Sequence, residues 1–190
     1  MLFRSVWSMA AADGDIWFGT AANIICQAAT ITASVTPFVR SGVATCEYGS
    51  SAYGTANSLP AASGDFRPPR IFRYSTATTL PVADPFTSAV DVTPSDALVN
   101  RTGGMRFALT TPDLILFGGP DLLTKAINLF AFRRSDGSYL GSTSTTAFND
   151  VRRGVVAGGV AYVAVSRTAG GGAVLRLSGT VARDRKSHTS

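Results

Sequence analysis

The chain has 190 residues, 45% of them hydrophobic, and its formal net charge of +5 comes almost wholly from arginine. The arginines are scattered, with adjacent pairs only at 133–134 and 152–153, so the basic patch of a nucleic-acid-binding protein is not predicted. No apolar run approaches the roughly 20 residues of a membrane helix, and no membrane span is expected.

The composition favours strands over helices. The chain contains one glutamate, Glu47, and two lysines, Lys125 and Lys186, whereas alanine, serine, threonine, glycine and valine are abundant. Glutamate and lysine favour helices, while aspartate, glycine, serine and threonine favour turns. We therefore expect an all-β protein with more than a third of its residues in strands and almost no helix.

The first half of the chain alternates short apolar runs with turn residues. A hairpin is predicted where Asp13-Gly14-Asp15 separates two such runs, because glycine adopts the positive φ of a tight turn. Residues 84–104 contain two prolines and a glycine pair, and we interpret them as a linker. The strands predicted before this linker are Ser5–Met9, Ile16–Thr20, Ile24–Val35, Gly42–Glu47, Ala52–Ala56, Arg70–Tyr74 and Leu80–Ala83.

The second half has the clearest pattern of four strands joined by turns. Ser135-Asp136-Gly137-Ser138 is a strong turn signal, and Gly158-Gly159 marks another. The strands predicted here are Met105–Leu109, Leu114–Phe117, Ala126–Arg133, Tyr139–Ser142, Gly154–Ala157, Val160–Ser166 and Ala173–Leu177. Gly118 and Gly119 directly follow a strand, so we expect a backbone role for them, where a close neighbour or a positive φ excludes a Cβ.

A short motif recurs along the chain, in which an apolar run ends in an aromatic residue and a small residue or glycine follows. Its clearest copies are at Phe18, Tyr53 and Phe117, with a weaker copy near Val165, at steps of 35, 64 and 48 residues. Periods of this size and four short strands per unit are typical of propeller blades.

One unit resembles a kelch-type repeat, in which a strand ends in a double glycine and an aromatic residue and a tryptophan follow. The matching residues are Leu114–Gly119, then Phe130 or Phe132, then Tyr139 at the tryptophan position. Together with the spacing, this resemblance predicts antiparallel four-stranded blades in a partial or small β-propeller. We expect one domain of about four irregular repeats over residues 1–182 and a disordered tail over 183–190. A β-sandwich is the alternative.

Residues that could carry chemistry are few. His188, the only histidine, lies in the tail, so a serine or cysteine nucleophile has no evident base. Cys26 and Cys46 could form one disulfide or remain two buried thiols, and a Cys/His zinc site is not expected. Asp13 and Asp15 could bind a cation through oxygen atoms, but we interpret them as turn residues. We therefore predict no catalytic, cofactor-binding or metal-binding residues.

These observations favour a non-catalytic binding or scaffold module, possibly a fragment of a longer protein. A protein partner, or self-association through open sheet edges, is the expected interaction. Binding is expected at loops on one rim, because rigid β scaffolds carry their sites on loops. The alternative is part of a propeller enzyme, a hydrolase or an oxidase, whose catalytic residues lie outside this chain. The candidate loops are Asn57–Pro69, Gly118–Lys125 and Arg167–Gly172.

Overall fold

A computed structural model describes residues 5–21, 55–58, 67–76 and 89–177. Strands account for 61% of these residues and helix for 4%, which confirms the predicted all-β class. The strands form three antiparallel sheets that are open rather than closed into a barrel.

Sheet 1 is an antiparallel meander in which each strand pairs with the next along the chain. Asp13 and Gly14 both have positive φ, 52° and 84°, and form the two-residue turn predicted between the first two strands. The predicted strand at 70–74 is present as Ile71–Ser75 and pairs with the strand Asp15–Ala21. The strands are β1 (Ser5–Ala12), β2 (Asp15–Ala21), β3 (Ile71–Ser75) and β4 (Ala89–Asp91).

Residues 84–104, predicted to be a linker, contain structure, so that prediction is wrong. Ala89–Asp91 pairs with β3 as the outer strand of sheet 1, and Val99–Arg101 forms a short 3-10 helix. A three-residue strand is too short to show an alternating pattern in sequence, and it is held here by its ladder with β3 and by the Val92 N–H, which donates to Ile71 O at 2.9 Å.

Sheets 2 and 3 repeat the same meander. Sheet 2 has four strands, as predicted for this part of the chain, and sheet 3 has three in the described residues. The tight turn between the first two strands of sheet 3 is Gly158-Gly159, with φ of 56° and 78°. The strands are β5 (Phe107–Thr110), β6 (Leu114–Pro120), β7 (Ile127–Arg133) and β8 (Tyr139–Thr145) in sheet 2, and β9 (Phe148–Ala157), β10 (Val160–Arg167) and β11 (Gly172–Leu177) in sheet 3.

The three sheets stack face to face in chain order, with sheet 2 in the middle. Their first strands lie side by side, since β5 contacts both β1 and β9. At one end of this row, Thr110 Oγ1 donates to Ala11 O at 2.9 Å. At the other end, the Met105 N–H donates to Thr20 O at 3.1 Å. The first strands of sheets 1 and 2 therefore run in the same direction.

Two hydrophobic cores fill the spaces between the sheets. The core between sheets 1 and 2 contains four aromatic side chains, whereas the core between sheets 2 and 3 contains one and is otherwise aliphatic. The first is built from Ala12, Trp17, Ile71, Val99, Met105, Ile115, Phe117, Phe130 and Phe132. The second is built from Phe107, Leu109, Leu116, Ile127, Val151, Ala161, Val163 and Val165.

The meanders define two rims. The hairpin rim holds the turns at 13–14, 111–113 and 158–159, and sheets 1 and 2 touch there, since Arg134 Nη2 donates to Asp13 Oδ1 at 2.7 Å. The loop rim is opposite and holds the connections at 121–126 and 168–171, which follow the second strands of sheets 2 and 3.

The predicted backbone role of the glycine pair in β6 is confirmed. A Cβ on Gly118 would lie 2.2 Å from Phe107 Cε1, and one on Gly119 would lie 1.7 Å from Gly104 O. Close packing, not a positive φ, therefore excludes a side chain at both positions. The predictions for the strands at 24–35, 42–47 and 80–83, for Tyr53, for the two cysteines and for the tail fall outside the described residues. The predicted strand Ala52–Ala56 is wrong at its end, because residues 55–56 are helical and lead into a turn.

Candidate functional site

Asp13 and Asp15, the candidate cation ligands, are each held by an arginine. Asp13 accepts from Arg134 Nη2 at 2.7 Å and from Arg134 Nε at 2.9 Å, a bidentate pair between sheets 1 and 2. Hydrogen bonding from Arg134 lowers the pKa of Asp13. Asp15 accepts from Arg73 Nε at 2.5 Å. Both carboxylates therefore serve the packing of the hairpin rim.

Within the described residues, no three histidine, cysteine, aspartate or glutamate side chains cluster so as to hold a metal ion. In the same part of the chain, no helix has the length and hydropathy to cross a membrane.

The candidate loop Gly118–Lys125 is mostly internal. Asp121 is fully buried, and its Oδ1 accepts from the Leu123 and Thr124 N–H groups at 2.9 and 2.8 Å. Its Oδ2 lies 2.6 Å from Arg101 Nε and accepts from Asn128 Nδ2 at 3.1 Å. These bonds fix the loop to the 3-10 helix connection, and only residues 123–125 are exposed.

The candidate loop Arg167–Gly172 is an exposed turn at the end of sheet 3. The Arg167 N–H donates to Gly171 O at 2.9 Å, and Gly170 and Gly171 have positive φ. The third candidate loop, Asn57–Pro69, is described only at residues 57–58 and 67–69. Its last two residues, Pro68 and Pro69, line a cleft at the loop rim of sheet 1.

This cleft, the loop-rim cleft, encloses about 430 Å³. One wall precedes β3 and the other is the connection that follows β4. Hydrogen bonds fix both walls: the Arg70 N–H donates to Thr20 Oγ1 at 2.8 Å, and the Ile71 N–H donates to Thr93 Oγ1 at 2.9 Å. The lining residues are Pro68, Pro69, Arg70, Thr93, Pro94, Ser95, Asp96, Ala97, Val99 and Asn100.

Asp96 anchors the second wall of the cleft to sheet 2. Its Oδ2 accepts from the Tyr139 hydroxyl at 2.5 Å and from Ser142 Oγ at 2.7 Å, and its Oδ1 accepts from the Leu98 N–H at 2.8 Å. Burial raises the pKa of Asp96, but these hydrogen bonds outweigh it, so the pKa lies below its ordinary value. Burial, and then the bond to Asp96, raise the pKa of Tyr139.

A second polar cluster lies where the first strands of the three sheets meet. Arg106 Nη1 donates to Asp150 Oδ1 at 2.6 Å, and Arg152 Nε donates to Asp150 Oδ2 at 2.8 Å. The Arg106 guanidinium lies 5.0 Å from the centre of the Trp7 ring, a distance at which a cation is attracted to an aromatic face. Arg106 thus joins sheet 1 to sheet 3 across sheet 2, which is a structural role.

Of the cleft residues, sequence reasoning singled out Pro68 and Pro69, at the end of the candidate loop Asn57–Pro69. Asp96 follows Pro94-Ser95, and an aspartate after such residues can bond to the backbone two positions on, as Asp96 does to Leu98. That signal could have identified a rigid turn. The approach of Pro68 and Pro69 to Pro94 depends on the pairing of β3 with β4, which no local pattern revealed.

No protein-family model matches the chain, and no curated protein is similar to it.

Proposed function

We propose that this chain is a non-catalytic binding module, in which the three sheets form part of a β-propeller and the loop-rim cleft binds a polypeptide segment of a protein partner. The propeller arrangement is supported by the stacking of successive meanders in chain order with their first strands side by side. Radially repeated four-stranded sheets of this kind characterise propellers. The kelch-type resemblance of residues 114–139 remains a prediction.

The observation that carries the binding role is the rigidity of the cleft. Three prolines, at 68, 69 and 94, line it, and proline has a fixed φ and lacks an N–H. Its Asp96 is fixed by three hydrogen bonds from two parts of the chain. A preformed surface binds more tightly, because little conformational entropy is lost on association.

The polar groups of the cleft indicate the kind of ligand. Ser95 and Asn100 are exposed and can bond to a peptide main chain, while the proline rings offer apolar contact. The Arg70 side chain is 40% exposed, and its Nη1 is 3.4 Å from Asp91 Oδ2. Such an exposed pair is weak, so Arg70 is available to a carboxylate. The cleft volume lies within the range of ligand pockets, about 300–1,000 Å³.

The state of the carboxylates supports binding rather than catalysis. Asp13 is paired with Arg134 and Asp96 accepts three hydrogen bonds, and the pKa of each lies below its ordinary value. Hydrogen bonds and opposite charges favour the ionised form of a carboxylate. A general base that acts near neutral pH requires instead a raised pKa.

A displayed library of random 12-residue peptides tests this proposal. We expect the full chain to select peptides that contain an acidic residue, and we expect Ser95→Glu and Asn100→Glu to weaken their binding at least tenfold by filling the cleft and repelling the acidic residue. The matched control is Ser166→Glu, an exposed position on β10 in sheet 3.

Two results would contradict the proposal. One is a set of selected peptides whose affinity is unchanged in both cleft variants. The other is a hydrolase or oxidase activity in the purified chain that is abolished by substitution of a single aspartate.

A further inference from the structure

Sheet 1 has one face against sheet 2 and an opposite face, here termed the sheet 1 free face, against which no described strand packs. Register places two cross-strand rows on it. Met9 is 66% exposed and Ile16 is 37% exposed, and the Phe18 and Phe72 rings stack at 5.2 Å. The rows are Met9–Phe18–Phe72–Asp91 and Ala11–Ile16–Tyr74–Ala89.

Sheet 3 has a corresponding face turned away from sheet 2, here termed the sheet 3 free face. Its two rows alternate apolar residues with arginine. Val155 is 61% exposed and Val174 is 68% exposed, although both lie on strands of a packed sheet. The rows are Val155–Tyr162–Arg176 and Arg153–Ala164–Val174.

The two free faces are complementary in sense and in charge. Inside the chain, the face of each sheet that is turned toward the following sheet packs on the face of that sheet that is turned toward the preceding one. The sheet 3 free face is of the first kind, and the sheet 1 free face is of the second kind. The rows on the first carry Asp91 as their charged residue, and the rows on the second carry Arg153 and Arg176.

We propose that the occupant of each free face is a second copy of this chain, with sheet 3 of one copy stacked on sheet 1 of the next. The inference rests on the proposed propeller arrangement, which it extends across copies. A second copy supplies both missing faces with the geometry already used twice within the chain. Pairing of two identical sheet 3 free faces is disfavoured, because it would bring four arginines together. A head-to-tail contact of this kind forms a ring when its rotation closes.

Two variants of the full chain, each blocked at one face, test the proposal. Met9→Arg/Ala11→Arg places positive charge on the sheet 1 free face, opposite the arginines of the partner copy. Val155→Glu/Val174→Glu places negative charge on the sheet 3 free face, opposite Asp91. All four positions are exposed. The control is Leu123→Arg, an exposed apolar residue on a loop outside both faces.

Mass is measured by size-exclusion chromatography with light scattering at 100 µM chain. We expect wild type and the Leu123→Arg control at twice the chain mass or more, and each double variant at the mass of one chain. An equimolar mixture of the two double variants should give two chain masses or more, because the intact sheet 3 free face of the first variant can pair with the intact sheet 1 free face of the second. If a double variant loses its β-sheet circular dichroism, Met9→Arg and Val174→Glu replace it.

A monomeric wild type would overturn the inference, as would a mixture of the two variants that stays monomeric. A double variant that dimerises alone would also overturn it, because it would show like faces pairing. The peptide-binding measurement on the loop-rim cleft is separate, so failure here leaves the proposed function to be judged by its own test.

Discussion

The two interfaces between the sheets bury different kinds of apolar side chain. Between sheets 1 and 2, Phe132 contacts three aromatic rings, with centroid distances of 5.3 Å to Trp17, 6.1 Å to Phe117 and 5.4 Å to Tyr139. Between sheets 2 and 3, valine, leucine and isoleucine fill the core instead. Aromatic rings bury more area per residue and prefer particular ring geometries, so the first interface depends on the arrangement of its rings.

The ion pairs of the two interfaces differ in how far they are exposed to solvent. The pairs at the hairpin rim of the sheet 1–2 interface are partly exposed, with Asp13 at 52% and Arg134 at 33%. The Arg106–Asp150 pair of the sheet 2–3 interface is nearly buried, at 12% and 17%. The aromatic interface thus relies on its core, whereas the aliphatic interface also relies on one sheltered ion pair.

The largest expected effect is on the aromatic core. We expect Phe132→Ala to lower the free energy of unfolding by about 4 kcal/mol, because it removes a buried ring and leaves a cavity. Val163→Ala, at an equally buried site of the other core, should cost about 2 kcal/mol by the loss of two buried carbons and the small cavity they leave. Urea unfolding monitored by circular dichroism measures both values. Equal losses would contradict the contrast between the two cores.

A second test uses the two adjacent glycines of β6, which face different neighbours. Gly119→Ala should lower the free energy of unfolding by about 3 kcal/mol. Its Cβ would overlap the carbonyl oxygen of Gly104, and a backbone atom cannot move aside as readily as a side chain. Gly118→Ala should cost less, since its Cβ meets the Phe107 and Leu129 side chains, which can shift. Gly172→Ala is the control, because its nearest neighbour is 3.9 Å away.

The order Gly119, Gly118, Gly172 in loss of melting temperature is the expected result for these single variants. Valine at both 118 and 119 should lower the melting temperature further. A melting curve unchanged by the double substitution would contradict the close packing of β6 against its neighbours.

The third effect concerns the ion pairs. Asp150→Asn should lower the free energy of unfolding by about 2 kcal/mol, because it leaves Arg106 without its charged partner. This value lies between the losses typical of exposed ion pairs and of buried ones. Asp13→Asn should cost less, since its pair with Arg134 is exposed to solvent and asparagine tolerates the positive φ of that turn. Unfolding at low and high salt separates the two, as only the exposed pair should weaken strongly with salt. A larger loss at Asp13 would reverse the comparison.

Much of this fold follows from local patterns. The Asp13-Gly14 turn, the strands of sheet 2 and the glycine pair of β6 lie within short stretches whose chemistry is decided by neighbouring residues. The pairing of β3 with β2 was not predictable in this way, because about fifty residues separate the strands and no local signal encodes the partner. β4 has only three residues and therefore no visible period.

The candidate site was less predictable than the fold. Arg106 and Asp150 are 44 residues apart, and their contact depends on the stacking of two sheets. The loop-rim cleft likewise joins residues 68–70 to residues 93–100. Sequence correctly placed Asp13 in a turn, whereas Asp15 is the first residue of β2. Their partners Arg134 and Arg73 become neighbours only in the folded chain.

The smallest expected effect is on the ionisation of Tyr139, which lies at the interface between sheets 1 and 2. Burial and the hydrogen bond to Asp96 raise the pKa of Tyr139, above the ordinary value of about 10. A raised pKa means that this tyrosine stabilises the fold below pH ~10 and that the contribution is lost as pH rises beyond it. Absorbance at 295 nm should therefore show a tyrosine ionisation step above pH ~10, and Tyr139→Phe should remove that step. Asp96→Asn should move the step to lower pH without abolishing it, because burial remains. If the titration step stays at the same pH in Asp96→Asn, the Asp96 carboxylate does not accept a hydrogen bond from the Tyr139 hydroxyl in solution. That result would contradict the proposed attachment of the cleft to sheet 2.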